Sequence, residues 1–426
     1  MGNSLSDNQE VEHESGASRM CSAWFGAICC TPFLMIVMIV LLGWNEKRAV
    51  CDAKAIAQGK REAEEIQCSS ASEGDGKLVL FACDMSQAGL QPFTQVGEFS
   101  QALSGYNGTG LRIESEMYQC VETEHSETTK DSVGGGKTTV KTYTYSRQWK
   151  GSRVNSGSFH KKSSQNFMQN CGRENPQWPA NVPKSETLLA SVVQVGAFKI
   201  EKAHIEEIPL ETPITPASLP AGWTGQYAPY HWQQSGQGGV MQIGDMRISF
   251  FGTNWANPAV TVLGENQGGT VKKWVAADTW LCSGYTLSDL KTGTLDKDAM
   301  FKALEEEAAA LTWVLRFVGF MIGWVAFCCL AGPLEVAADC VPCIGPFLGD
   351  SLMCVASVVS CLPATACALA VIGIVWIAMR PIVGGCLLAV FATCFGGLIC
   401  FKCYAQQSGM SGGGGGPDAF KFGNSE

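Results

Sequence analysis

AWFGAICCTPFLMIVMIVLLGW, which occupies residues 23–44, carries no charged side chain along 22 consecutive residues. An α-helix of about 20 residues crosses a hydrocarbon core of about 30 Å. The stretch is too long for the apolar core of a signal peptide. It also follows an acidic leader, and no small-residue cleavage site comes after it. It therefore predicts a membrane-spanning helix that is retained in the mature protein.

Three more apolar stretches lie near the C-terminus, at residues 311–332, 352–379 and 382–401. Only Arg380 and Pro381 separate the last two, and so short a gap predicts a hairpin turn. An unpaired arginine is costly in the middle of a bilayer, so we interpret Arg380 and Arg316 as cations that extend to the membrane surface. The sequence therefore predicts four transmembrane helices.

Residues 45–310, between the first two spans, are polar and long enough to fold around a core of their own. Alternation in RIESEMYQCVETEHSE and TTVKTYTYSRQWK, joined by DSVGGGK, predicts a long β-hairpin. GKLVLFACDM, LLASVVQVGAFKI, GDMRISFF and AVTVLGE predict further strands, whereas the proline-rich IPLETPITPASLPAGW predicts a loop or a sheet edge. Good helix formers at both ends of this region predict helical stalks, the first ending near Gly59.

Two short motifs indicate the orientation in the membrane. MGNSLS fits the N-myristoylation pattern at Gly2, a cytosolic modification, and NGT makes Asn107 a sequon for N-glycosylation, a luminal one. Lys47, Arg48 and Lys54 would favour a cytosolic middle region, but the positive-inside rule has little force for long domains. We therefore expect an integral membrane protein with four transmembrane α-helices and a large α+β, strand-rich luminal domain between helices 1 and 2.

This topology assigns a side to each remaining segment. We expect the cytosol to hold a disordered leader at 1–22, a short loop at 333–351 and a glycine-rich tail at 402–426. Residues 380–381 would form a luminal turn.

Composition and motifs argue against nucleic-acid binding and against catalysis. The formal net charge is −9, and the lysines form no run that could follow a phosphate backbone. The sequence contains no H-E-x-x-H, no G-x-S-x-G and no phosphate-binding glycine loop. We therefore predict neither an enzyme nor a bound cofactor.

The 20 cysteines divide between the middle region and the membrane segments. Six lie within residues 45–310, where an oxidising lumen would permit disulfides, but six cysteines allow 15 pairings and buried free thiols remain an alternative. Cys21, Cys29 and Cys30 are candidates for S-palmitoylation beside Gly2. Two C-x-x-C pairs could hold zinc or cycle as dithiols, although neither lies in a recognisable zinc or thioredoxin context: Cys340 with Cys343, and Cys400 with Cys403.

Several short motifs, in this order, carry a resemblance to a known family. They are NEKRA, EMYQCVETE, YTYSRQW, VNSGSF, ENP, GDMRISF, TWVLRFVG and RP. The chain resembles the transmembrane protein 43 (LUMA) family. The matching residues are Asn45, Glu46, Arg48, Glu116, Tyr118, Glu122, Glu124, Tyr145, Trp149, Asn155, Ser156, Phe159, Asn175, Pro176, Gly244, Asp245, Arg247, Ser249, Trp313, Arg316, Arg380 and Pro381.

The resemblance implies a multi-pass protein of the endoplasmic reticulum and the inner nuclear membrane. It implies a non-enzymatic scaffold that self-associates, engages lamina-associated proteins and helps to organise nuclear-envelope complexes. Gly319 and Gly323 form a G-x-x-x-G that could pack helices within one chain or between the chains of such a homo-oligomer. The alternatives are an oligomeric channel or channel regulator, and a thiol- or metal-dependent membrane protein.

Overall fold

The computed structural model describes residues 6–379, apart from residues 133, 227, 234–239, 280 and 342–343. Several predictions therefore lie outside the described residues. They concern the fourth span at 382–401, the turn at Arg380 and Pro381, the tail at 402–426, and Gly2, Cys343, Cys400 and Cys403.

Three helices in the described part are long and apolar enough to cross a membrane. The first, from Gly16 to Glu62, consists of α1, a π-helical turn at Gly26–Cys30, and α2. These helices coincide with the first three predicted spans. The helices are α1 (Gly16–Phe25), α2 (Thr31–Glu62), α3 (Gln165–Asn170), α4 (Lys202–Ile205), α5 (Lys297–Asp339) and α6 (Gly345–Met379).

Small residues let α2 and α5 pack closely along their apolar length. A Cβ placed on Gly319 would lie 2.4 Å from Leu42, and one on Gly323 would lie 2.5 Å from the sulfur of Met38. The G-x-x-x-G therefore serves contacts inside this chain. The sequence left open whether these two glycines pack helices within one chain or between chains, and in this structure α2 covers both of them.

Exposed tryptophans mark a slab of apolar surface around this bundle. Trp24 and Trp44 are 52% and 56% exposed, and their separation of 20 positions corresponds to about 30 Å of helix. That length matches a hydrocarbon core, and tryptophan concentrates at membrane interfaces. Trp313 of α5 is 66% exposed at the same level as Trp44. The bundle therefore has the length and the aromatic borders of a membrane-embedded unit.

The strand-rich part contains two large sheets. The first has eight strands in the order β1-β5-β4-β12-β11-β10, with β6 beside β4 and β9 beside β12. The predicted hairpin is its centre, and the proline-rich segment supplies the edge strand β9. The strands are β1 (Gln9–Glu14), β2 (Glu64–Glu65), β3 (Leu78–Ser86), β4 (Gly110–Lys130), β5 (Lys137–Lys150), β6 (Glu186–Leu189), β7 (Val192–Val195), β8 (Phe198–Glu201), β9 (Leu210–Pro213), β10 (Trp223–Thr224), β11 (Tyr230–Trp232), β12 (Met246–Thr253), β13 (Ala259–Gln267), β14 (Thr270–Lys272), β15 (Trp274–Val275), β16 (Thr286–Leu287) and β17 (Asp289–Thr292).

The second sheet carries the contact between the domain and the membrane helices. Its order is β17-β13-β14-β8-β7-β3-β2, and β13 also pairs with β3. One face packs on the stalk ends of α2 and α5 through an apolar cluster that includes Ile56, Leu80, Leu263 and Phe301. The stalks therefore do not project freely from the membrane, because the sheet covers them.

The structure differs from the sequence-based expectation in three segments. The leader predicted to be disordered forms β1 and α1, because β5 offers β1 a free edge. Helix α2 continues past Gly59, where the absent side chain admits Leu287, and ends at Glu62. Most of the predicted loop at 333–351 is helical, since α5 runs through Pro333 to Asp339 and α6 begins at Gly345.

Candidate functional site: a buried polar junction at the membrane surface

Glu46 is the centre of a polar cluster where the helix bundle meets the domain. It lies two residues beyond Trp44 on α2, and its side chain is fully buried. Arg316 of α5 binds both carboxylate oxygens, with Nε 2.6 Å from Oε1 and Nη2 2.7 Å from Oε2. Trp376 of α6 donates its indole N–H to Oε2 at 2.7 Å. One carboxylate therefore joins all three long helices.

Neighbouring polar groups extend this cluster into a layer across α2 and α5. Asn45, also fully buried, donates its Nδ2 to the backbone oxygen of Thr312 at 3.1 Å. Arg48 donates Nη1 to Asp52 at 2.9 Å and Nη2 to the hydroxyl of Thr312 at 3.3 Å. These hydrogen bonds link α2 to α5 at the level where the apolar slab ends, although the buried Nε of Arg48 has no hydrogen-bond partner among the described residues.

The sequence predicts Arg316 as a cation that extends to the membrane surface, and the structure adds a partner that the sequence did not identify. Its guanidinium lies in a bidentate pair with Glu46 and 4.8 Å from the ring of Trp313. Removing one member of a buried pair leaves the other uncompensated and is strongly destabilising, typically by about 3–5 kcal/mol. Glu46 and Arg316 therefore act together to hold α2 against α5.

A disulfide continues the junction into the domain. Cys51 lies on α2 just above the polar layer and bonds to Cys282 in the loop before β16, with both residues buried. Val50 and Met379 pack around this bond, so α6 also contacts it. The remaining cysteines of the middle region pair as Cys68–Cys83 and Cys120–Cys171. All six are therefore disulfide-bonded, a pairing that the sequence left open.

The junction has the chemistry of a rigid joint. Arg316 is paired with Glu46 and Arg48 with Asp52, so the charges of the junction neutralise one another. An open cleft of about 200 Å³ lies beside the disulfide, lined by Lys54, Gln58, Arg61 and Tyr285 among others. Over the described parts of residues 6–379, no group of three or more His, Cys, Asp or Glu side chains is placed to hold a metal ion.

A second charged cluster lies where the second sheet meets the stalk of α5. Burial, followed by hydrogen bonding to Asp289, raises the pKa of Glu207 to about 8. Lys291 bridges Asp289, at 3.2 Å, to Glu307 on α5, at 2.7 Å. The buried His204 lies nearby, and burial lowers its pKa. No sequence pattern indicated this pair, because Glu207 and Asp289 are distant along the chain.

Several motif residues from the hairpin meet their partners across strands. Arg247 donates Nε to Glu116 at 2.5 Å, and its guanidinium lies 4.7 Å from the ring of Trp149. Tyr118 packs on the other strand against the same tryptophan. These contacts fix β4, β5 and β12 in register, and Arg247 lies in the strand that GDMRISFF predicted.

Glu122 is bound more tightly than a solvated strand residue. It accepts from the hydroxyl of Tyr145 at 2.8 Å and contacts Nδ1 of His160 at 2.9 Å, whereas Glu124 is exposed. Burial and the bond to Glu122 raise the pKa of Tyr145 to about 12. Phe159 packs on the same tyrosine. The two glutamates of this motif therefore lie in different environments.

Asparagines of the later motifs support loops. Asn175 is buried and bonds both backbone atoms of Cys120, with Oδ1 accepting at 2.7 Å and Nδ2 donating at 2.8 Å. Ser156 accepts from the backbone N–H of Asn175 at 2.8 Å, and Asn155 caps the short turn that follows it. Pro176 follows in the same loop, and Gly244 takes a φ of +102° before β12. Ser249 is buried within β12.

The candidate modification sites lie on accessible surface where the structure describes them. Cys21, Cys29 and Cys340 are exposed, and Cys30 is half-buried. Asn107 is exposed, although the threonine of its sequon, Thr109, is buried against Thr253. Because Cys343 and the second C-x-x-C lie outside the described residues, their thiol chemistry stays a prediction.

The apolar bundle, the strand-rich domain and the joint between them define a multi-pass integral membrane protein. A family model described as transmembrane protein 43 matches residues 117–381, so the chain belongs to that family. A relative from Rattus norvegicus, transmembrane protein 43, is 28% identical over 82% of this chain and 83% of its own length. The Mus musculus protein is 27% identical over 87% and 89%, and a Drosophila melanogaster homologue is 25% identical over 82% and 87%. No solved structure matches the chain.

Proposed function

We propose that this protein is a non-enzymatic membrane scaffold of the endoplasmic reticulum and the inner nuclear membrane. Its strand-rich domain would face the lumen, bind partners there and self-associate, and so help to organise nuclear-envelope complexes. The observation that carries the proposal is the buried joint of Glu46, Arg316 and Trp376 with the Cys51–Cys282 disulfide. A domain fixed to its membrane helices presents its surface at a constant height and angle.

The distribution of disulfides supports the luminal side. All six cysteines of residues 45–310 are paired, whereas the described free cysteines lie in α1, the π-helical turn, α5, α6 and the residue after α5. Disulfides persist in oxidising compartments and are rare in the cytosol. The division therefore supports a domain in the lumen with the opposite ends of the helices toward the cytosol.

The positions of charges favour a scaffold over a channel. Ionisable side chains inside a membrane usually mark an ion pathway. In the described spans, Arg316 is neutralised by Glu46 at one border of the slab, and Asp350 lies near the start of α6 at the other. Self-association through Gly319 and Gly323 receives no support, so a homo-oligomer would need another surface.

Proximity labelling from both membrane faces tests the scaffold. A peroxidase would be inserted at the exposed Gly268 turn of the domain in one fusion and appended after Glu426 in another. We expect the luminal fusion to enrich nuclear-envelope membrane proteins over a reticulum protein of equal abundance, and Glu46→Ala to weaken that enrichment. If the luminal fusion recovered nuclear-envelope membrane proteins no better than the reticulum protein of equal abundance, the proposal would be contradicted.

A further inference from the structure

The far end of the helix bundle, opposite the domain, carries a buried ionic cluster. Asp339 of α5, with its side chain 1% exposed, lies 2.9 Å from Nη1 of Arg19 and 3.0 Å from Nζ of Lys130. Lys130 also binds Glu335 at 2.8 Å and Asp350 at 2.7 Å. Burial opposes the charge of Lys130, but its hydrogen bonds to these three carboxylates outweigh that effect and raise its pKa. The cluster joins α1, α5 and α6 to the tip of the β4–β5 hairpin.

The hairpin tip also contacts the bundle end through its backbone. Arg19 donates Nη1 to the backbone oxygen of Gly135 at 2.6 Å. A Cβ on Gly135, whose φ is +67°, would lie 2.9 Å from the sulfur of Cys340. The tip is therefore seated on the end of α5.

The leader binds the same hairpin along its edge. β1 pairs antiparallel with β5 through six consecutive partners, from Gln9 with Thr142 to Glu14 with Lys137. Nδ1 of His13 lies 3.2 Å from the hydroxyl of Thr138, and Lys141 binds Glu12 at 2.8 Å. We call β1, the distal half of β4 and β5, and the ionic cluster the clasp.

The clasp bridges the two borders of the apolar slab. From Tyr118 to Lys130 the hairpin extends about 40 Å, and from Arg19 to Glu46 the helix extends a similar distance. Its base belongs to the domain, which packs on the α2 stalk beyond Trp44, and its tip meets the bundle at Arg19, beyond Trp24. A bilayer that surrounded the slab would therefore surround the clasp as well.

Hydrocarbon cannot surround this ribbon. In the described residues no strand pairs with the outer edge of β1, or with β4 beyond residue 120 on the side away from β5. Each unpaired backbone group costs several kcal/mol in lipid, and each ionised side chain adds more. The ribbon carries Glu10, Glu12, Glu14, Glu122, Glu124 and Glu127.

We propose that the clasp is a conformational switch: it closes over the far end of the bundle when no lipid separates that end from the domain, and opens when the helices span the bilayer. Opening places the leader and the hairpin on opposite sides of the membrane. It also breaks the ion pairs of Lys130 with Glu335 and Asp339, and it exposes residues 9–14 of the leader to other contacts. The inference goes beyond the scaffold function and does not depend on which compartment holds the domain.

One row of three strands supplies a matched test, because His13 pairs with Thr138 and Thr138 pairs with Thr129. The pair His13→Cys with Thr138→Cys reports the clasp, Thr129→Cys with Thr138→Cys is a control inside the hairpin, and His13→Cys with Thr129→Cys is two strands apart, beyond disulfide reach. The full-length chain would be synthesised in a glutathione buffer in which native disulfides form, with or without microsomes. An added oxidant would then form the engineered disulfides. Linked peptides would be counted by mass spectrometry in mixtures of light and heavy chains.

We expect the 13–138 link to form within one chain without membranes and to fall at least tenfold in microsomes, while the 129–138 link is equal in both. Lys130→Ala should lower the membrane-free link several-fold, and Lys130→Arg should retain it. A 13–138 link that is absent without membranes, equally strong in microsomes, or formed only between light and heavy chains would overturn the switch. These outcomes are independent of partner recovery in the labelling experiment.

Discussion

At the scale of single residues, the side chains that decide this structure are charged groups with partners far away in the sequence. Glu46 and Arg316 are 270 positions apart and bind each other through two hydrogen bonds. The sequence indicates that Arg316 needs relief from hydrocarbon, but it cannot identify the carboxylate that provides it. Glu46 stood in a recognisable motif without an assigned role, since pairing depends on the antiparallel packing of α2 and α5.

Removing that carboxylate tests the joint. We expect Glu46→Ala to lower the free energy of unfolding in mild detergent by about 3–5 kcal/mol, because Arg316 remains buried without its counter-charge. The double variant Glu46→Leu with Arg316→Met should lose much less, since no buried charge is left. Denaturant titration followed by tryptophan fluorescence gives both values. If Glu46→Ala had a free energy of unfolding no lower than that of the double variant, the pair would not be what holds the helices together.

The Glu207–Asp289 pair predicts a pH dependence of domain stability. The folded-state pKa of Glu207, about 8, lies above its usual value of 4.5, so folding favours the protonated carboxyl. Its stabilising contribution is complete at low pH and is lost as the pH rises from about 5 to about 8. Because Glu207 is partly exposed, screening reduces the expected loss to about 1 kcal/mol.

Thermal unfolding across that pH range checks this expectation. Glu207→Gln should flatten the profile and stabilise the protein at the alkaline end. Glu206→Gln, its exposed neighbour, should leave the slope unchanged. Parallel profiles for wild type and Glu207→Gln would contradict the assignment.

At the scale of elements, the sequence predicted the helices and strands whose formation depends on their own residues. The alternation of polar and apolar residues predicted β4 and β5, and a run of helix-forming residues before residue 311 predicted the stalk that begins α5. The leader was missed because QEVEHE is polar and becomes a strand only when the edge of β5 is available. The loop at 333–351 was predicted too long because Pro333, usually a helix breaker, is buried inside α5, which continues to Asp339.

Close helix packing gives an element-scale prediction. Gly323→Val should destabilise the bundle by about 1–3 kcal/mol, because the new Cβ would meet Met38 of α2. Gly373→Val is the matched control, since nothing lies within 4 Å of a Cβ at that position of α6. The stability of each variant would be measured by denaturant titration in the same detergent. Equal losses in both variants would show that the G-x-x-x-G does not bring α2 against α5.

At the scale of the whole molecule, the sequence predicted a membrane protein with a strand-rich middle region, and its motifs predicted the family. It did not predict that the three disulfides exhaust the middle cysteines, because pairing is set by the folded sheets rather than by spacing. The Cys51–Cys282 bond closes a loop of 231 residues, so it removes much conformational entropy from the unfolded chain. It also ties the domain to the first membrane helix.

Breaking that bond should loosen the domain from the bundle. We expect Cys51→Ser with Cys282→Ser to lower the free energy of unfolding by about 2–5 kcal/mol. The comparison is Cys68→Ser with Cys83→Ser, which removes a disulfide that closes a loop of only 15 residues. Limited proteolysis should cut the first variant faster between the α2 stalk and β3. Unchanged cleavage there would contradict the role of this bond in the joint.

Protease treatment of sealed endoplasmic-reticulum microsomes tests the proposed placement of the domain most directly. The account predicts that a fragment spanning residues 45–310 survives intact, migrates faster before reduction than after it, and is digested once detergent opens the vesicles. Digestion of that fragment in sealed vesicles, at the same rate as the exposed ends of the chain, would contradict a domain enclosed in the oxidising lumen.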